Sequence, residues 1–161
     1  MTQSLWQGVY PAATTQFAAD FSLDLPACRR TVTALVDDGV DGLVLLGTVG
    51  ENNSLRPEEK RTALVAAVEA VGGRVPLVAG VSELSTDRAA EFARDAEKIG
   101  VNALMVLPAM VYVPTAEELC AHFKAVAAAT SSIIVAAGSS SGEGAPTSPS
   151  LAMPKSRTLT G

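Results

Sequence analysis

The chain has 161 residues, 48% of them hydrophobic, with a mean hydropathy of +0.28, which predicts one packed domain rather than a disordered chain. Twelve Lys and Arg stand against 17 Asp and Glu, for a net charge of −5, and no basic cluster appears, which sets nucleic-acid binding aside. Two cysteines, Cys28 and Cys120, exclude a disulfide-rich scaffold and a four-cysteine zinc site.

Aromatic residues make up only 4% of the chain, which leaves the core to Ala, Val and Leu and favours helices on buried parallel strands. Strand candidates fall at residues 8–13, 42–47, 75–80, 103–108 and 132–137. Their starts are roughly 30 residues apart, the size of a βαβ unit. Most are continuous apolar runs, as strands covered on both faces require. Between them lie four helix candidates. In the first, Asp24 caps a face of Cys28, Val32, Leu35 and Val36 that stops before Gly39. The second starts at Pro57 with Glu58 and Glu59 against the helix dipole, turns Leu64, Val65, Val68 and Val71 inward, and ends at Gly72-Gly73. A third runs over residues 86–99 and ends at Gly100. The fourth opens with Thr115 and Glu118 in capping-box spacing and presents Leu119, Phe123 and Val126. This pattern predicts an α/β fold with a parallel sheet, and an open doubly wound sheet and a closed barrel are both compatible with it. From residue 139 to 161 Ser, Thr, Gly and Pro dominate and periodicity ends, so a disordered tail is expected behind a folded unit of residues 1–138. No basic-then-apolar leader follows Met1, and the apolar run at 103–113 falls well short of the roughly 20 residues that span a bilayer. A cytoplasmic protein without membrane contact is expected.

The segment Gly47-Thr48-Val49-Gly50-Glu51-Asn52 follows the second strand candidate directly. Glycines on both sides of Thr48 and Val49 allow a tight turn that leaves backbone N–H groups and a hydroxyl at a strand's C-terminal end. That arrangement suits a small carboxylate or phosphate, and parallel α/β folds place their sites at this edge. The segment is neither a P-loop nor a dinucleotide fingerprint. No metal-ligand spacing is present, and neither a metal nor an organic cofactor is expected. Cys28 and Cys120 read as small core-facing residues, and His122 as a surface or partly packed side chain. Glu58-Glu59 and Glu117-Glu118 read as helix-start charges.

Trp6-Gln7-Gly8-Val9-Tyr10-Pro11-Ala12, Gly47-Thr48-Val49-Gly50-Glu51, Pro76-Leu77-Val78-Ala79-Gly80-Val81 and the later Leu107-Pro108…Tyr112-Val113-Pro114 occur in an order and spacing that resemble the dihydrodipicolinate synthase / N-acetylneuraminate lyase family. The resemblance covers roughly residues 5–134. It implies a partial (β/α)8 TIM barrel, with about four βα units and a fifth strand. It also implies a class I aldolase chemistry, in which pyruvate or another 2-oxo acid forms a Schiff base with a barrel-strand lysine and condenses with an aldehyde, or is released in the reverse cleavage. A homo-oligomer is implied as well. Such chemistry needs an amine nucleophile, a hydroxyl relay for the proton, and oriented N–H donors for the carboxylate.

By this resemblance Gly47, Thr48 and Val49 form the carboxylate cradle, and Thr48 and Tyr112 are the proton-relay members. Val49 stands where the family motif has a second threonine, so its N–H is retained and a hydroxyl is lost. Tyr112 matches the relay tyrosine after a shift, because the segment reads Pro108-Ala109-Met110-Val111-Tyr112. The family's tyrosine at the end of strand five has no counterpart in Ile133-Ile134-Val135-Ala136-Ala137, and no strand-six lysine is present. Lys60, Lys98 and Lys124 fall on solvated helix faces and Lys155 in the tail. The expectation is therefore a chain with little or no aldolase activity alone. The competing readings are a non-catalytic half-barrel that self-associates or needs a partner, and a truncated or frame-shifted gene product.

Overall fold

A computed structural model describes residues 6–108 and 111–136. Four helices alternate with four strands: α1 (Leu25–Asp37), β1 (Leu43–Leu45), α2 (Pro57–Val71), β2 (Leu77–Val81), α3 (Thr86–Ile99), β3 (Ala103–Val106), α4 (Ala116–Ala128) and β4 (Ile133–Ala136). The strands form one parallel sheet in chain order, β1-β2-β3-β4. Val44, Val78, Ala103 and Ile133 share one row across it. The expected tail and the boundary at residue 138 lie outside the described residues.

Each helix begins and ends where its capping chemistry allows. Asp24 accepts a hydrogen bond from the Ala27 N–H at 2.8 Å and starts α1. Pro57 occupies the first turn of α2, whose end at Gly72 takes a left-handed φ of 59°. Ser85 caps α3 and Gly100 (φ 106°) closes it. At α4, Thr115 and Glu118 form a reciprocal capping box: the Glu118 carboxylate accepts from the Thr115 N–H at 2.8 Å, and Thr115 Oγ1 accepts from the Glu118 N–H at 3.3 Å.

One sheet face carries Leu43, Leu45, Leu77, Ala79, Val81, Leu104 and Val106 into the main core. There they meet Val32 of α1, Leu64 and Val71 of α2, Phe92 and Ala96 of α3, and Val126 of α4. On the opposite face, Val44, Val78, Met105 and Val135 line a groove of about 190 Å³ together with Trp6 and Tyr10. Period-2 alternation thus divides each apolar run between two environments: the helix layer and the concave inner side of the sheet.

Several expectations change. Residues 8–13 do not form a strand of the sheet; they run beside β1 through a single parallel bridge, Ala12 to Val44. Val44 N–H donates to Pro11 O (2.9 Å) and Ala13 N–H to Val44 O (2.8 Å), but Pro11 has no N–H to extend the ladder. Val65 is 40% exposed, because the inward stripe of α2 runs through Lys60, Leu64, Ala67 and Val71. Lys60 is buried, not solvated, and is ion-paired to Glu83. Cys120 is exposed, whereas Cys28 is half-buried with its Sγ accepting from the Gln16 N–H at 3.3 Å. His122 is buried, with its Nδ1 3.0 Å from Thr86 Oγ1, so it ties α4 to the first turn of α3.

Candidate active site

The C-terminal ends of the parallel strands converge on the loops that carry the candidate residues. β1 ends at Leu45, because Leu46 adopts a left-handed φ of 53° and directs the chain into a turn. The turn runs through Gly47, Thr48 and Val49 to Gly50 and Glu51 (φ 56°), and a short 3-10 turn at Asn52–Ser54 leads to α2. Only glycine fits at position 50, where a Cβ would lie 2.9 Å from Leu46 N and 3.2 Å from Ala13 O. A Cβ at Gly47 would look toward Met105 Cε (3.6 Å) and Val44 Cγ1 (3.8 Å), so the turn stands at the rim of the inner groove.

Side chains hold this turn from two directions. Thr15 Oγ1 donates to Gly50 O at 2.7 Å. Asn52 Nδ2 donates to both Leu46 O (2.8 Å) and Gly80 O (3.0 Å), joining the ends of β1 and β2. Within the turn, Glu51 N–H donates to Thr48 O (3.1 Å) and Asn52 N–H to Gly47 O (3.4 Å). Among the described residues, none of these backbone hydrogen bonds uses the N–H of Thr48 or Val49. Both side chains are exposed while Gly47 is buried. Two amides without a backbone acceptor thus stand beside the Thr48 hydroxyl in this turn.

Tyr112 lies in the segment between β3 and α4, on the same sheet edge as Thr48 and 55% exposed. It borders a cavity of about 80 Å³ shared with Ser85, Thr86, Glu118 and His122. Among the described residues no hydrogen bond joins Tyr112 to Thr48; each opens onto its own space. The segment before it, residues 109–110, is outside the described residues.

The described lysines lie on helices, not on the strands. Lys60 Nζ lies 2.6 Å from Glu83 Oε1 and 5.8 Å from the Phe92 ring centroid. Lys98 is 76% exposed on α3, Lys124 is exposed on α4, and Lys155 lies outside the described residues. No group of three His, Cys, Asp or Glu gathers as a metal site among the described residues, and no described helix is long and apolar enough to cross a membrane. Sequence reasoning missed Thr15 and Asn52, the residues that shape the turn. Thr15 lies 35 positions from its partner, and Asn52 carries no motif of its own beyond following the Gly50-Glu51 pair.

A parallel sheet whose strands follow chain order, each joined to the next through a helix, is the arrangement of consecutive units in a (β/α)8 barrel. The profile of the Dihydrodipicolinate synthetase family matches residues 5–142, and the chain belongs to that family. It is 42% identical over 130 residues to the 4-hydroxy-tetrahydrodipicolinate synthase of Moorella thermoacetica, covering 81% of this chain and 44% of that protein. The corresponding synthase of Acidothermus cellulolyticus is 43% identical over 122 residues, covering 76% and 40%. Among solved structures, a prophage protein of the dihydrodipicolinic acid synthase family from E. coli K12, in complex with pyruvate, superposes with a TM-score of 0.80 at 28% identity, over 83% of this chain and 45% of that one. The N-acetylneuraminate lyase of Mycoplasma synoviae superposes at 0.79 with 26% identity, over 82% and 45–46%. The chain therefore spans less than half the length of these relatives.

Proposed function

We propose that this chain carries the carboxylate-binding part of a pyruvate-dependent lyase or synthase that works through a Schiff base. The observation that carries the reading is the Gly47–Val49 turn, with the Thr48 and Val49 amides unspent at the rim of the inner groove. Membership of the family and the likeness to a family protein solved in complex with pyruvate support the substrate class.

In this reaction an amine attacks the ketone carbon of the 2-oxo acid, and loss of water leaves an iminium. The iminium accepts the electron pair of a C–H bond on the adjacent methyl group, whose proton departs and leaves an enamine. The enamine carbon then bonds to an aldehyde carbon, whose C=O π pair moves to oxygen and takes up a proton, and hydrolysis of the renewed iminium frees the product and the amine. The Gly47–Val49 amides hold the carboxylate so that the ketone faces the amine. Thr48 and Tyr112 pass the proton between the reacting centre and solvent. None of Lys60, Lys98 and Lys124 supplies the amine in this reading: the first is consumed by an ion pair and the others lie on helix surfaces.

The chain by itself accordingly binds pyruvate at the turn without forming a covalent adduct, in the cytoplasm and as an oligomer. Titration with pyruvate followed by borohydride reduction and intact-mass measurement tests both halves. Amide shifts at Thr48 and Val49 without a mass increase are expected. A stoichiometric pyruvyl adduct on one lysine would overturn the second half, and absence of any shift the first. A non-catalytic half-barrel that associates through its inner face is the second reading, favoured by the apolar lining of the groove. Light scattering beside the pyruvate titration separates the two: an oligomer without pyruvate-dependent shifts favours the second reading, and a monomer with a cooperative melt removes the need for a partner in either.

A further inference from the structure

We propose that Asn52 is a positioning residue of the carboxylate cradle, its side-chain amide setting the geometry of the Gly47–Val49 turn by clamping the Leu46 and Gly80 carbonyls together; this rests on the reading that the turn receives the substrate carboxylate. Asn52 is 2% exposed, beneath the turn, and cannot itself touch a ligand seated above it. Its Nδ2 meets two carbonyl oxygens, at 2.8 and 3.0 Å. Only the NH2 end of a carboxamide can satisfy two acceptors at once, so the orientation of the side chain is dictated by its partners.

Both acceptors sit where the backbone is under constraint. Leu46 holds a left-handed φ of 53°, unfavourable for a residue with a branched side chain. Its carbonyl oxygen would lie 2.1 Å from a Cβ at Gly80, so the start of the turn, just past the end of β1, lies against β2 at a distance that glycine alone permits. Glu51, at the far end of the turn, is also left-handed (φ 56°). The turn is thus strained at both ends, and residue 52 holds the first end from the second. The cost is visible in the same side chain. Among the described residues Asn52 Oδ1 is buried without a hydrogen-bond partner, a loss that an aliphatic residue chosen for packing would avoid. A buried amide kept with half its capacity unused is explained by what the other half positions.

The test uses the full chain, isotopically labelled, as wild type and as Asn52→Ser and Asn52→Asp. The aspartate is nearly isosteric and turns both donor positions into acceptors. Native-state hydrogen exchange and pyruvate titration are read together. The clamp predicts that the amides of residues 51 and 52 exchange about tenfold faster in Asn52→Ser, that those of β3 and α3 are unchanged, and that the pyruvate Kd rises about tenfold. Unchanged exchange in the turn overturns the proposal. So does an equal acceleration throughout the sheet, which would make Asn52 a residue of general stability, or an unchanged Kd in a variant whose turn has loosened. A wild-type chain that shows no pyruvate-dependent shift defeats the carboxylate reading alone, and the exchange pattern then decides whether Asn52 sets the turn. Should neither variant fold, the wild-type Nδ2 protons decide: protection comparable to the β2 amides upholds the clamp, and free-amide exchange overturns it.

Discussion

Lys60 Nζ and Glu83 Oε1 lie 2.6 Å apart with side chains only 5% and 12% exposed, joining the first turn of α2 to the loop that follows β2. Phe92 presents its ring to the same ammonium, 5.8 Å away. Two charges withdrawn from water and matched to each other hold the loops of neighbouring βα units in register. Removing one partner leaves the other buried and unpaired, so Lys60→Ala is expected to cost about 3 kcal/mol. Replacing both, as Lys60→Met with Glu83→Leu, is expected to recover most of that loss, because no unpaired charge remains. Urea unfolding of the two single variants and the double variant measures the coupling directly.

Gly80 and Gly47 are predicted to differ although both border the same turn. A Cβ at Gly80 would meet the Leu46 carbonyl oxygen at 2.1 Å, and backbone cannot swing aside as a side chain can. Gly80→Ala is expected to cost about 1–3 kcal/mol by overpacking and to shift the Leu46 and Gly47 amide resonances. A Cβ at Gly47 would make only ordinary contacts, at 3.6 Å or more, and Gly47→Ala is expected to leave the melting temperature nearly unchanged. Equal destabilisation by both would contradict the close approach of the Leu46 carbonyl to Gly80.

Acid sensitivity is expected at the carboxylates that neighbouring hydroxyls and N–H groups hold ionised: Asp20, and Glu97 and Glu118 on helix ends. The Ser131 and Thr130 hydroxyls hold Glu97 below the usual 4.5, and the Thr115 backbone N–H followed by its hydroxyl does the same for Glu118. Folding favours the ionised form of each group. Their contribution is therefore complete above pH 4.5 and is lost as pH falls through the lower folded-state values. Carboxyl titration by NMR should place both midpoints below the unfolded value. Glu97→Gln should remove its share of the acid-dependent loss of stability, and a midpoint for Glu97 at or above 4.5 would contradict the hydrogen bonds that anchor the entry to β4.

Val49 offers a gain-of-function test of the cradle. Its side chain is exposed beside Thr48, where a threonine would add one hydroxyl to the carboxylate's donors. Val49→Thr is expected to tighten pyruvate binding about fivefold, the worth of one hydrogen bond of roughly 1 kcal/mol. Calorimetric titration checks it, and weaker binding by the threonine variant would place the carboxylate elsewhere.

Much of the architecture is local and was legible in advance. The limits of α3 at residues 86–99 follow from a capping serine and a terminal glycine, and the Thr115–Glu118 box marks α4 from two residues three apart. Each is a decision made within one helical turn, where side-chain chemistry and backbone geometry meet directly. The candidate turn was equally visible, because paired glycines after an apolar run have few uses other than a tight turn at a strand end. The limits of this reading show at residues 8–13, whose apolar texture resembles a strand although Pro11 interrupts the ladder.

By itself, then, the order of residues determined the alternation of helices and strands, their parallel arrangement and the position of the Gly47–Val49 turn, since periodicity, caps and glycines act over a few neighbouring positions. Tertiary structure alone decided that Lys60 is an ion-paired core residue, that Cys120 faces solvent while His122 does not, and that Asn52 joins two strand ends. Lys60, His122 and Asn52 each depend on a partner 23 to 36 positions away in the chain: Glu83, Thr86 and Gly80. No local pattern encodes such distances; the sheet sets them when it brings successive βα units side by side.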